Sequence, residues 1–206
     1  MHFPGMPVAL ARMVEMLGTL PGIGPKTAMR LALNLLERPA EDLKQMAAAL
    51  AELQDKVTFC ERCGCFAEQG HCQICDNVRR DTKLICVVEQ PVDVLIMERG
   101  QGFAGKYHAL HGRLSPVDGI GPDKLWLSSL DKRVVPGVEL ILATSATVDG
   151  EATAHFLARR YQASGAKISR IARGVPEGGE LEYLDEHTLH RALAQRVIWE
   201  QAESLR

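Results

Sequence analysis

Apolar residues in the first 57 positions recur at intervals of three and four, the spacing that lines one face of an α-helix. Leu10, Val14 and Leu17 share a face of a first helix. Pro25 stands where a first helical residue is tolerated, because its missing N–H would have had no partner there. Ala28, Leu31, Ala32 and Leu35 then line a second helical face. Beyond Pro39, Leu43, Met46, Leu50, Leu53 and Val57 alternate by three and four and predict a third, amphipathic helix. Neither the helical nor the strand period survives across 58–80, where Cys, Gly and charged residues dominate. From residue 82 the texture changes again. The runs 84–88 and 138–143 are short, apolar and bounded by polar or turn residues, which suits strands buried on both faces of a parallel sheet. A third strand is expected at 167–173, with helix-like segments at 91–99, 122–130, 150–162 and 188–196. Strands alternating with helices predict an α/β domain.

Composition narrows the function classes. The 206 residues suffice for one or two domains with a real hydrophobic core. No apolar run is long enough to span a bilayer. The opening Met-His-Phe-Pro-Gly has no basic stretch ahead of an apolar one, so no signal peptide and a cytoplasmic location are expected. The formal net charge is only −2. A protein that coats DNA through global charge would be strongly basic, so any nucleic-acid contact must come from a local surface or from several copies acting together. Six cysteines in a reducing compartment point to metal ligation before disulfides.

Cys60-x2-Cys63 and Cys72-x2-Cys75 lie eight residues apart, and two such knuckles complete a tetrahedral sulfur cage. Four protein ligands leave no open position, so the ion, expected to be Zn2+, would be structural; a segment this short cannot bury a core of its own. Two disulfides or four free thiols are the alternative, disfavoured by the compartment. Cys65 is expected to be a bystander, and Cys86 a small buried hydrophobe. Leu20-Pro21-Gly22-Ile23-Gly24-Pro25-Lys26-Thr27 sits between the first two helices. Gly22 and Gly24 allow a tight turn and close approach, and the second helix starts with free amides and a favourable dipole. Lys26 and Arg30, four apart, share one face. This is the form of a helix-hairpin-helix element that grips a DNA phosphate, although the glycines alone would also suit an ordinary helix joint.

Glu89 directly follows the first apolar strand, and Asp149-Gly150-Glu151 follows the second. Acids at the strand ends of a parallel sheet occupy the crevice where such folds place ligands. They resemble the Toprim domain of topoisomerases and primases, which holds magnesium with such acids, so Mg2+ is a second candidate cofactor. The bland alternative is that Asp149 and Glu151 merely complement a helix dipole. The glycine-rich 174–186 has no Walker A signature and is expected to be a surface loop or a subunit contact. His108 and His111 would face opposite sides of a strand-like segment, as structural or exposed histidines.

In this order the motifs resemble the RecR family of bacterial recombination mediators over essentially the full chain. The match runs through 20–26, the cysteine knot, 85–89, 115–122, 149–154 and 181–189. The resemblance implies a non-catalytic, nucleoid-associated protein of recombinational repair that binds single- and double-stranded DNA. It implies a homo-oligomer, a ring-like tetramer, that works with RecO and RecF to load RecA on single-stranded DNA. Gly22, Gly24, Lys26 and Arg30 would form the DNA contact, and Glu89, Asp149 and Glu151 the acids used for partner binding or Mg2+. The stretch 174–186 resembles the family's Walker-B-like segment, near which subunits meet. Two departures stand out: Ser145-Ala146 where Asn-Pro is expected, and Asp149 where Glu is more usual. The expected parts are a helix-hairpin-helix region at 1–57, a four-cysteine zinc finger at 58–80, a Toprim domain at 81–175 and a C-terminal Walker-B-like segment and helix at 176–206. The competing readings are a magnesium-dependent Toprim enzyme acting on phosphodiester bonds and an RNA- or protein-binding adaptor. A topoisomerase would need a nucleophilic tyrosine, and Tyr107, Tyr161 and Tyr183 are the only ones in the chain.

Overall fold

The computed structural model describes residues 5–100 and 102–196. The chain divides into two compact units, one ending at Val57 and the other beginning at Thr58.

The first unit is helical: α1 (Val8–Gly18), α2 (Pro25–Leu36) and α3 (Ala40–Lys56). Its small core is Val14, Ala28 and Ala32, flanked by Leu10, Leu17, Ile23 and Met29. The alanines bring little bulk to the contact, so α1 and α2 pack closely along the faces expected from the spacing. Pro25 does occupy the first turn of α2, behind Gly24 as N-cap. α3 is amphipathic as expected, yet none of its residues is buried. Leu50 and Leu53 are 64% and 62% exposed.

The second unit begins with a two-stranded hairpin, β1 (Thr58–Phe59) and β2 (Phe66–Ala67), followed by the short helix α4 (Gln73–Asp76). The α/β body follows, with strands β3 (Asp81–Val88), β4 (Gly105–Ala109), β5 (Glu139–Leu142) and β6 (Lys167–Arg170). Between and after them lie helices α5 (Pro91–Glu98), α6 (Ser128–Asp131), α7 (Val148–Tyr161) and α8 (Glu186–Ala194). The sheet is wholly parallel in the order β4-β3-β5-β6. Alternating side chains of β3 enter opposite cores: Ile85 and Val87 join Leu140, Leu142, Leu157 and Tyr161 on one face, and Cys86 and Val88 join Val94, Tyr107 and the cysteine knot on the other. Burial on both faces is why the run lacked polar alternation. Gly105 is required where β4 begins, because a Cβ there would sit 2.6 Å from the Leu84 carbonyl oxygen.

Three expectations are corrected in extent. The segment 122–130 is no helix: a 3-10 turn (Pro122–Lys124) and the four-residue α6 flank an extended stretch at Leu125. Long-range bonds straighten it, since Trp126 N–H donates to the Leu110 carbonyl and the Trp126 carbonyl accepts from His108 Nε2 at 2.6 Å. The third strand ends at Arg170, and the last helix starts at Glu186, two residues before the expected start, capped by Asp185. The expected helix end at 196 lies beyond Ala194, and 197–206 fall outside the described residues.

Candidate nucleic-acid interface and metal centre

The turn between α1 and α2 is pinned by Thr19, whose hydroxyl donates to the Met16 carbonyl at 2.7 Å, and by Ile23 N–H donating to the Leu20 carbonyl. Gly22 has φ +79°, a conformation that strains any residue with a Cβ. Gly24 has ordinary extended backbone, and a Cβ on it would meet nothing within 4 Å. Ala28 N–H makes the first intrahelical bond of α2, to the Gly24 carbonyl, so the amides of Lys26 and Thr27 precede it without helical partners. Gly22, Gly24, Lys26 and Arg30 are all exposed. The turn therefore presents open backbone, a helix N-terminus and two cations on one side, the requirements for a backbone phosphate.

The cysteine knot is assembled by two knuckles. In the first, Gly64 N–H donates to the Cys60 carbonyl at 2.8 Å and Cys60 N–H to the Cys65 carbonyl at 2.7 Å. Gly64 adopts φ +70°, and a Cβ there would lie 2.7 Å from the Ala109 carbonyl oxygen, so glycine lets the knuckle lie against β4. In the second, Cys72 caps α4 and its sulfur accepts from Cys75 N–H. The four Sγ atoms of Cys60, Cys63, Cys72 and Cys75 lie within 4.8 Å of one another, all four residues buried. Cys63 and Cys72 Sγ are 3.6 Å apart. A zinc ion with sulfur ligands at about 2.3 Å needs tetrahedral edges of about 3.8 Å, so the donor set fits a metal such as zinc. Among these thiols hydrogen bonding from Cys63, then Cys65, pushes Cys72 down, while bonding to Cys65 pushes Cys63 up and bonding to Cys63 pushes Cys75 up, so Cys72 ionises before its two neighbours. Cys65 is buried beside the cage with its sulfur turned to the Cys63 carbonyl and is not among the four. Cys86 is a buried thiol whose pKa burial pushes up to about 12, as suits an inert core residue.

The knot is tied to the body. Ala109 N–H donates to the Cys63 carbonyl at 2.8 Å, and Lys106, buried in β4, donates from Nζ to the carbonyls of Ile74, Cys75 and Asn77 at 2.8–3.0 Å. Of the two histidines, His111 serves this joint, and His108 bonds the Trp126 carbonyl beside it. His108 is fully buried, while His111, at φ +61°, donates to the Gly64 carbonyl and stacks on Trp126.

The strand-end acids are divided. Glu89 is buried and accepts from Ser145 N–H at 2.7 Å; its other oxygen lies 3.3 Å from Arg113 Nη1. Arg113 Nε is 3.9 Å from Asp149, so one guanidinium spans both carboxylates. Gly150 is required beside them, because a Cβ would come within 2.9 Å of Glu89 Oε1. Glu151 turns elsewhere: it pairs with Arg170 at 2.5 Å, with Arg173, and with Arg191 of α8 at 3.6 Å. Among the described residues only the four cysteines gather three or more metal-ligating groups. The single acidic cluster expected from the sequence is thus two arginine-bound sites, the Glu89–Asp149 pair on Arg113 and Glu151 on three arginines of its own. Arg113, Arg170, Arg173 and Arg191 were missed, since they stand 19 to 40 positions from the acids they hold and carry no local motif.

Known proteins agree with this layout. The RecR helix-hairpin-helix family model matches residues 10–53, the Toprim domain model 83–172 and the RecR C-terminal model 174–197. The chain is 50% identical over 190 residues to "Recombination protein RecR" of Deinococcus radiodurans, covering 92% of this chain and 86% of that one. It is 48% identical over 188 residues to the protein of that name from Streptomyces coelicolor, covering 90% and 94%. Against that of Magnetococcus marinus it is 50% identical over 194 residues, covering 93% and 96%. The chain belongs to the RecR family.

Its fold is accordingly a helix-hairpin-helix region, a four-cysteine knot, a Toprim-type parallel sheet and a C-terminal helical segment, and the family supports a role in DNA recombination and repair. In this RecR-family chain the serine of the Ser145-Ala146 departure bonds Thr147 Oγ1 through its Oγ at 2.7 Å, while the bond to Glu89 comes from the residue 145 backbone N–H, which an asparagine would supply as well. Asp149, although a shorter acid than Glu, still reaches Arg113. No helix among the described residues is long and apolar enough to cross a membrane.

Proposed function

We propose that this protein is a non-catalytic, cytoplasmic recombination mediator that binds single- and double-stranded DNA through Gly22, Gly24, Lys26 and Arg30. It acts with RecO and RecF to load RecA on single-stranded DNA. The observation that carries the reading is the open α1–α2 turn, whose unpartnered amides and exposed Lys26 and Arg30 face solvent together. Such a device contacts backbone and not base sequence. The exposed apolar face of α3 supports assembly of several copies, a ring tetramer on this reading, because Leu50 and Leu53 would be sheltered by a second chain. Repetition around a ring also supplies the phosphate contacts that a chain of net charge −2 lacks alone.

The cysteine cage holds structural Zn2+ and Glu89, Asp149 and Glu151 serve partner docking, not Mg2+ chemistry. Arginine side chains already stand where a cation would neutralise them. The parts are 1–57, 58–80, 81–175 and 176–206, the last being the Walker-B-like segment near a subunit contact. The test is fluorescence anisotropy with labelled oligonucleotides. Lys26→Ala with Arg30→Ala is expected to lower affinity steeply and to flatten its salt dependence by about 0.7 per lost single-strand contact. Unchanged binding would remove this interface, and turnover of labelled DNA with magnesium would establish an enzyme instead.

A further inference from the structure

A cleft of about 600 Å3 opens beside the knot, on the side away from the strand-end acids, between the first knuckle, the start of β3 and the segment leading into β5. Five cations line it: Arg62, Lys83, Lys106, Lys132 and Arg133. Glu61 is the only carboxylate in the lining. None of the five is paired with a carboxylate among the described residues.

Two of these cations have structural work. Lys106 is buried against three carbonyls of the second knuckle, and Arg133 donates to the carbonyls of Arg62 and Tyr107. A divalent ion in four thiolates leaves two negative charges on the knot, which these two offset. Arg62, Lys83 and Lys132 remain, all exposed, and among the described residues their side chains make no hydrogen bond and meet only the carboxylate of Glu61 in the lining. Like charges converge on one cleft at a cost in folding free energy unless an anion enters it.

We propose that this cleft is a second DNA contact that takes the sugar–phosphate backbone of a single strand, with Arg62, Lys83 and Lys132 as its phosphate-binding residues. The inference rests on the DNA-binding reading above and adds a surface outside the helical head. Its size is that of a small-ligand pocket, which admits a nucleotide or two of single strand but not the width of a duplex. Among the described lining residues His71 is the one aromatic ring, with no Phe, Tyr or Trp, so the cleft offers little base stacking and reads no sequence; Thr82 and Ser129 supply hydroxyls and Val135 and Pro136 an apolar wall for the sugar.

The test uses the zinc-loaded full chain and labelled oligothymidine at several salt concentrations. Arg62→Ala with Lys83→Ala and Lys132→Ala is expected to lower the salt slope by about 2, at about 0.7 per contact, with zinc content and melting temperature unchanged. The Lys26→Ala, Arg30→Ala variant should retain a residual salt-dependent affinity that combination with the triple variant abolishes. A triple variant that binds like the parent overturns the cleft while leaving the helical head intact. Absence of DNA binding by the parent chain overturns both readings. A labelled polyglutamate peptide that binds the parent and not the triple variant, with DNA binding unaltered, overturns the proposal in favour of an acidic protein partner.

Discussion

Arg113 Nη1 stands 3.3 Å from Glu89 Oε2, which places a guanidinium at the mouth of the crevice outside the carboxyl ends of β3 and β5. Parallel sheets put ligands at such switch points because strand order reverses there and the flanking loops diverge. Here β3 leads first to β4 on one side and then to β5 on the other, and the crevice is closed electrostatically by the chain's own arginine.

Arg113 is therefore the residue that decides whether these acids meet a metal. Arg113→Ala should leave Glu89 and Asp149 uncompensated and raise Mn2+ affinity by an order of magnitude, about 1.4 kcal/mol. Electron paramagnetic resonance titration of free Mn2+ reads this directly; equal uptake by parent and variant would show that the guanidinium is not what keeps a cation out.

Gly22 and Gly24 separate fold from contact. Gly22→Ala imposes a side chain at φ +79° and should cost roughly 1–2 kcal/mol of stability. Gly24→Ala meets open space and ordinary backbone, so its stability should stay within about 1 kcal/mol of the parent. The same methyl stands where a polynucleotide would approach and should weaken DNA binding about tenfold. Urea denaturation paired with anisotropy tests both, and undiminished DNA affinity in Gly24→Ala would mean the bound strand lies elsewhere.

Metal removal should act on the second unit through its staple. Cys72→Ser should lose the ion, while Cys65→Ser should keep one per chain, because only the former supplies a cage sulfur. Loss of several kcal/mol would lower the melting temperature by roughly 2–4 °C for each kcal/mol. Elemental analysis and a thermal scan distinguish them; a metal content that falls equally in both variants would place Cys65 in the cage.

His108 makes folding sensitive to acid. Burial, opposed by the hydrogen bond to the Trp126 carbonyl, lowers its pKa to about 4, against about 6.5 in an unfolded chain. As pH falls below about 6.5 the unfolded state gains a proton that the folded state refuses until about 4, so stability declines across that window. The loss should reach about 2 kcal/mol by pH 5. His108→Gln retains an N–H donor without the titration, so the gap between the two proteins in urea midpoint should close or reverse from pH 7 to pH 5. Parallel curves would place the acid sensitivity in groups other than His108, such as the Arg160-bound Asp131.

Periodicity made the helical head legible, because it follows from neighbours three and four positions apart, and unbroken apolar runs made the strand core legible, because both of its faces are buried. The knot was legible because knuckle geometry demands cysteines at short fixed spacing. The 122–130 segment was misread for the opposite reason: Leu125 is straightened by bonds at Trp126 to Leu110 and His108, partners 16 and 18 positions away. The exposed state of α3 was equally hidden, since an amphipathic pattern states that a face seeks cover and not what covers it.

By itself, then, the order of residues determined the kinds of element, the four clustered cysteines and the open glycine turn, all of which are local chemistry. Tertiary structure alone decided that Glu89 and Asp149 share one arginine while Glu151 binds three others, and that five cations meet around one cleft. Charge pairing acts through space over a few ångströms and takes no account of separation along the chain, so folding had to bring these side chains together before their relationships existed.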